Sequence, residues 1–354
     1  MKRNDDRDEA AAGGGNAPGA PMTRRGLLRA ITGGALAFGL GGGVSAALSG
    51  CSSGGTFPAG GGGAGTRLLV STFLMGTVEA FDASTGTGLG NFAPSRGQGI
   101  TTAGMVVDRN LGLFVFSPGG DAVFRYSLSG DDFLGNLATP PKGLTTPHNG
   151  VIGPDGMLYA VNAPSLNGNV GKGTDGIEKY DPVTGQYLGR FADIASPFGI
   201  IFGPDGDLYV SSTLVYAPDP PRSDYITRLD GASGVNLGVV LRELKVPFNM
   251  AWHPSGDLLV VEHFAGRVQR YDTATGALVG TFLQVPFPVG MTYGPDGDLY
   301  VGQFTTPDRL ARLLQNDLAG ALGGGKVLQY DGVTGAQKRV LIDNLPFAGY
   351  LAFV

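Results

Sequence analysis

Three short sequence units recur through most of this chain, and together they leave few folds open. The first is a tight turn followed by an apolar run: Gly153-Pro154-Asp155-Gly156, Gly203-Pro204-Asp205-Gly206 and Gly294-Pro295-Asp296-Gly297, with His253-Pro254-Ser255-Gly256 as a close variant and a weaker copy from Asp108. The second lies downstream of each and has the form Tyr-Asp-x-x-Thr-Gly followed by a strand, best seen from Tyr180, Tyr271 and Tyr330, with related stretches from Glu79, Phe124 and Thr227. The third places Pro and Phe ahead of the first unit, as in Pro197-Phe198, Pro247-Phe248 and Phe287-Pro288. Pro fixes φ and Gly accepts φ > 0, so the first unit reads as a turn between two strands. Asp-x-x-Thr-Gly reads as a second hairpin connection with Gly in the left-handed position. The apolar runs are short, bounded by Gly and Pro, and lack a 3.6-residue period, which excludes helices.

Each repeat therefore supplies four short antiparallel strands, and a radial array of such sheets is a β-propeller. Residues 104–137, 149–191, 199–241, 249–282 and 290–341 each hold a full set. Residues 67–92 hold three strands and lack the innermost one. The chain ends on Leu345-Pro346-Phe347-Ala348-Gly349-Tyr350-Leu351-Ala352-Phe353-Val354, which supplies that strand. The expectation is an all-β, six-bladed propeller over 66–354, with one blade built from both ends and no free sheet edge at the seam.

Composition fits this once its glycine is placed. Gly 62 and Pro 23 make up about a quarter of 354 residues, close to the low-complexity range, yet most sit in the recurring turns or before residue 66. A net charge of −5 without a long basic run in the repeats argues against a nucleic-acid partner. One cysteine excludes an intramolecular disulfide.

That cysteine lies in the leader. Residues 1–22 are polar and small, and cannot bury enough surface to fold. Arg24 and Arg25 precede a weakly apolar stretch, Ala30 to Leu48, in the order of a cleavable export signal. The arginine pair resembles a Tat signal, and Leu48-Ser49-Gly50-Cys51 resembles a bacterial lipobox, which implies acylation of Cys51. Ser52 to Gly65 reads as a Gly-rich tether. The expectation is an extracytoplasmic lipoprotein held to a membrane by its N-terminal lipid, which anchors by burying its CH₂ groups. The repeats resemble NHL repeats and the streptogramin B lyase and gluconolactonase-like six-bladed propellers. That likeness covers nearly all of 66–354 and speaks to architecture, since one scaffold hosts many chemistries.

Strand order separates two faces. Both hairpin turns fall on one, here the turn face. The loops after each second strand and between blades fall on the other, the variable-loop face, where function is expected. Asp308 to Leu322 there reads as one short amphipathic helix. At the end of the second strands lies a ring of polar residues: Thr72, Ser117, Asn162, Ser212, Glu262 and Gln303. A second ring, early in the innermost strands, carries Asn149 and Asn249, with His148 beside them. Both rings are expected to line the channel mouth. Glu262 with Asn149, Asn162 and Asn249 is a candidate oxygen set for Ca²⁺ or Mg²⁺, and the gluconolactonase likeness implies a divalent metal in such a place. The lyase likeness implies Glu, His and Mg²⁺, with His148 or His263 as general base. His253 belongs to a turn on the opposite face. Two functions follow: a propeller binding a small molecule, glycan or protein on the variable-loop face, or a metal-dependent lyase or lactonase. No haem or copper ligand set supports electron transfer.

Overall fold

A computed structural model describes residues 66–96, 101–130, 132–137, 144–167, 174–213, 224–315 and 317–354. The leader, including Arg24, Arg25 and Cys51, and the tether lie outside the described residues.

Among the described residues, twenty-four strands form six four-stranded antiparallel sheets. Three strands open the chain: β1 (Arg67–Thr72), β2 (Thr77–Asp82) and β3 (Gly88–Ala93). The second blade is β4 (Met105–Asp108), β5 (Gly112–Ser117), β6 (Ala122–Tyr126) and β7 (Phe133–Asn136). The third is β8 (Pro147–Ile152), β9 (Leu158–Asn162), β10 (Gly176–Tyr180) and β11 (Tyr187–Ala192). The fourth is β12 (Pro197–Phe202), β13 (Leu208–Ser212), β14 (Asp224–Leu229) and β15 (Asn236–Leu244). The fifth is β16 (Pro247–Trp252), β17 (Leu258–Glu262), β18 (Arg267–Tyr271) and β19 (Leu278–Gln284). The sixth is β20 (Pro288–Tyr293), β21 (Leu299–Gln303), β22 (Gly325–Tyr330) and β23 (Gln337–Leu345). Finally β24 (Ala348–Phe353) pairs with β1, through Leu69↔Ala352 and Val70↔Leu351, and completes the first blade. The seam is the one that the sequence implies.

The turns hold because their own side chains satisfy them. In Asp-x-x-Thr-Gly the aspartate Oδ1 accepts backbone N–H groups two and three residues on: Ser84 and Thr85 at Asp82, Val183 and Thr184 at Asp181, Ala232 and Ser233 at Asp230. These donors, led by the Ser84 hydroxyl, hold the Asp82 carboxyl down at about 2. The closing glycines need a left-handed backbone, with φ 74° at Gly86 and Gly185 and 76° at Gly234. In the first unit a tyrosine of the next strand donates to the turn aspartate: Tyr159 to Asp155, Tyr209 to Asp205 and Tyr300 to Asp296, at 2.8–2.9 Å.

Crossings between blades are strained in a repeated way. Thr146, Ser196, Val246, Phe287 and Phe347 all have positive φ, between 47° and 62°, and each immediately precedes an innermost strand. Left-handed non-glycine residues persist only where the surroundings fix them. At three successive crossings a carboxylate does so: Asp121, Asp175 and Asp224 accept the N–H of Thr146, Ser196 and Val246 at 2.7–2.8 Å.

The expected single helix on the variable-loop face is two pieces, α1 (Pro307–Leu314) and α2 (Leu318–Ala321). Asp317 interrupts it by taking the Gly320 N–H as a cap at 2.8 Å.

Candidate functional site

Most polar side chains of the first ring bond at their own strand end or to the loop beside it. Thr72 Oγ1 lies 2.6 Å from Thr77 Oγ1. Ser117 Oγ accepts the Gly120 N–H, Asn162 Oδ1 accepts the Thr145 N–H, and Gln303 Nε2 donates to the Thr305 carbonyl. Ser212 is buried with them. The four residues expected as channel lining, Thr72, Ser117, Ser212 and Gln303, thus sit at equivalent registers, and none of them borders the axial cavity.

Glu262 belongs to the same ring and is 1% exposed. Its Oε2 takes the Arg267 guanidinium at 2.6 Å, and its Oε1 takes the Lys245 N–H at 3.0 Å. The hairpin register brings the pair together, because Glu262 and Arg267 are directly opposed across β17 and β18. A buried carboxylate costs several kcal/mol unless paired, and this one is fully paired. Arg267→Met is expected to destabilise the protein by about 3 kcal/mol, the low end for breaking a buried pair because Arg267 is partly exposed. Urea denaturation measures it, and adding Glu262→Gln in the double variant restores part of the loss.

The second ring is at one register of the innermost strands: Gly104, Asn149, Gly199, Asn249, Gly290 and Tyr350. Large and small residues alternate around it. A Cβ on Gly104 would overlap the Asn149 carboxamide, and one on Gly290 would lie 2.6 Å from the Tyr350 Cα. The strands approach too closely there for six side chains.

The mouth itself is aromatic. His148 stacks on Phe198 (4.7 Å), Phe198 on Phe248 (4.3 Å) and Phe248 on His263 (4.5 Å), with interplanar angles of 11–29°. Phe264, Phe287 and Phe304 enclose the far side of His263. Phe73, Phe198, Phe248, Val289, Phe304 and Tyr350 border an axial cavity of about 20 Å³, room for one water. The Pro-Phe unit is the sequence signal for this plug, although it reads equally as strand core.

The two histidines expected as bases are both buried. His263 Nδ1 donates to the Pro288 carbonyl at 3.0 Å, so the neutral ring carries its proton there. Burial lowers its pKa from 6.5 to about 4, with the Pro288 carbonyl opposing. His253 is in its turn on the opposite face, with Nε2 3.0 Å from the Val333 carbonyl oxygen.

As a metal set, Glu262, Asn149, Asn162 and Asn249 do not converge with free oxygens. Both Glu262 oxygens are engaged, Asn149 Oδ1 accepts the Gly150 N–H, and Asn162 Oδ1 accepts the Thr145 N–H. Asn249 Oδ1 is buried without a hydrogen bond. Among the described residues no group of three or more His, Cys, Asp or Glu is placed to hold an ion. The arrangement does not fit a divalent cation as it stands.

No protein-family model matches the chain, and no curated protein matches its sequence. Solved structures match its fold. A protein of unknown function from Bacteroides caccae superposes with TM-score 0.60 at 15% identity, over 82% of this chain and 99% of that one. A chain of the nidogen/laminin complex does so with TM-score 0.61 at 16% identity, over 82% and 98%. A gluconolactonase from Xanthomonas campestris gives TM-score 0.53 at 20% identity, over 66% and 78%. A gluconolactonase and a chain of the nidogen/laminin complex thus share this fold, and the chain is a six-bladed β-propeller of four-stranded antiparallel blades.

Proposed function

We propose that the chain is an exported, lipid-anchored propeller that binds a ligand or partner protein on its variable-loop face. The observation that carries this reading is the state of Glu262, the ring's one carboxylate, whose two oxygens are closed by Arg267 and the Lys245 N–H. With both histidines buried in the aromatic plug, the face offers a rigid platform, and its chemistry comes from the loops that rise from it. The acylated Cys51 would hold that platform at a membrane outside the cytoplasm.

Thermal unfolding with and without millimolar Ca²⁺ or Mg²⁺ tests the reading. A cation at about 100 times its Kd would add about 2.7 kcal/mol. The binding reading expects no shift in Tm for the wild type. A rise that Glu262→Ala abolishes would overturn it in favour of a second reading, a metal-dependent lyase or lactonase. One observation favours that alternative: His148 and His263 bracket a single aromatic ladder beside Asn149 and Asn249. It requires Glu262 to leave Arg267.

A further inference from the structure

The exposed apolar side chains of this propeller are not scattered. Ten of the eleven exposed large hydrophobic residues among those described sit on, or just after, an Asp-x-x-Thr-Gly-type turn: Val183, Val235 and Val333 in or beside the turns, and the remainder in the first two residues of an outermost strand. All six blades contribute, so the side chains form a belt around the edge of the turn face. The valines are 59–62% exposed. Repeated near the same turn in every blade, they gather on one face instead of scattering singly over the surface.

The described chain also begins on this face. Arg67 opens β1 opposite Asp82, the first residue of a turn on this face. β1 therefore starts on the turn side. The 14 residues Ser52 to Gly65 can span at most about 50 Å. That reach lets the disc lie either way up, so the anchor alone does not orient it and the rim decides.

We propose that the turn face is the membrane side of the molecule, and that its apolar rim rests on a zwitterionic bilayer and presents the variable-loop face outward. The inference rests on the lipid-anchor reading above. Charge selects the lipid. Aspartates in or just after the first-unit turns are ion-paired, Asp155 with Lys179, Asp207 with Arg228, Asp257 with Arg270 and Asp298 with Lys338. Asp82, Asp181, Asp230 and Asp272 instead take their hydrogen bonds from turn N–H groups and hydroxyls. An anionic surface is repelled by them, whereas a phosphatidylcholine or phosphatidylethanolamine surface is not. A tethered domain needs only weak affinity to stay docked, since the anchor keeps its local concentration high.

Hydrogen exchange on the full chain anchored in phosphatidylcholine vesicles tests this, compared with the Cys51→Ser chain in buffer. Amides of 181–188, 230–237 and 331–338 are expected to exchange several-fold more slowly in the anchored protein, and those of 194–196 and 244–247 at unchanged rates. Phosphatidylglycerol in the vesicles is expected to remove the protection, as is the combined variant Val183→Ser, Val235→Ser, Leu237→Ser, Leu278→Ser, which stays anchored. Protection on the variable-loop side, or none, overturns the proposal. Protection of the turn face in concentrated anchor-free protein assigns the rim to a second copy and also overturns it. Mass spectrometry of the exported chain checks Cys51 separately. An unmodified thiol sinks the anchor reading alone, and coupling that thiol to a maleimide lipid then tests the docking by itself.

Discussion

Removing residues 346–354 is expected to abolish cooperative folding, although it deletes under a thirtieth of the chain. β24 supplies the innermost strand of a blade whose other three strands stand at the opposite end of the sequence. Its loss exposes the β1 edge and uncovers Leu69 and Val70. It also withdraws Phe347, Tyr350 and Leu351, all buried. At about 1.5–3 kcal/mol for each buried side chain, these alone are worth roughly 5–9 kcal/mol. A domain's whole stability is about 5–15 kcal/mol, so little remains. Circular dichroism during heating reads the outcome, with loss of a sharp transition expected. A truncated protein that melts sharply within a few degrees of wild type would show that the ring holds without its seam.

The second large effect is a loss of stability in mild acid that belongs to His263. Its folded pKa lies at about 4, below the ordinary 6.5, because burial among Phe248, Phe264, Phe287 and Phe304 disfavours the cation. As pH falls through 6.5 the unfolded chain takes up a proton that the folded chain refuses. Stability from this residue is therefore intact above pH 6.5 and declines until pH 4. The difference between the two pKa values corresponds to about 3 kcal/mol. Chemical denaturation at pH 7 and pH 4.5 measures most of it, and His263→Phe is expected to flatten this window while keeping the stacking on Phe248. The turn aspartates act lower, since carboxyls such as Asp82 are held below their ordinary range and lose their turn contacts only in stronger acid.

How far the sequence spoke for this structure depended on how local each signal was. Gly86, Gly185 and Gly234 adopt φ values that few other residues tolerate, and the aspartates that cap those turns lie four residues before them, so blade number and order could be read directly. The seam was equally open, because an isolated strand after a complete blade has one vacant place to go. The site was less legible. Glu262 could be placed at a strand end, but its partner follows from the β17–β18 register rather than from its type. The carboxylates that fix the strained crossings bind amides 21–25 residues away, and no short pattern announces them. Polar identity at six equivalent positions suggested a wet channel. The structure bonds most of those groups to neighbouring residues and closes the mouth with Phe198, Phe248 and Phe304, the first two from a Pro-Phe signature that also suits an ordinary core strand.

The most direct test of the functional account is a crystal structure of the protein grown in excess Ca²⁺ and Mg²⁺. The account predicts Glu262 still bound to Arg267 and the Lys245 N–H, with no cation between it and the Asn149 and Asn249 carboxamides. A metal ion ligated by Glu262, with Arg267 displaced, would contradict it and make the variable-loop face a catalytic one.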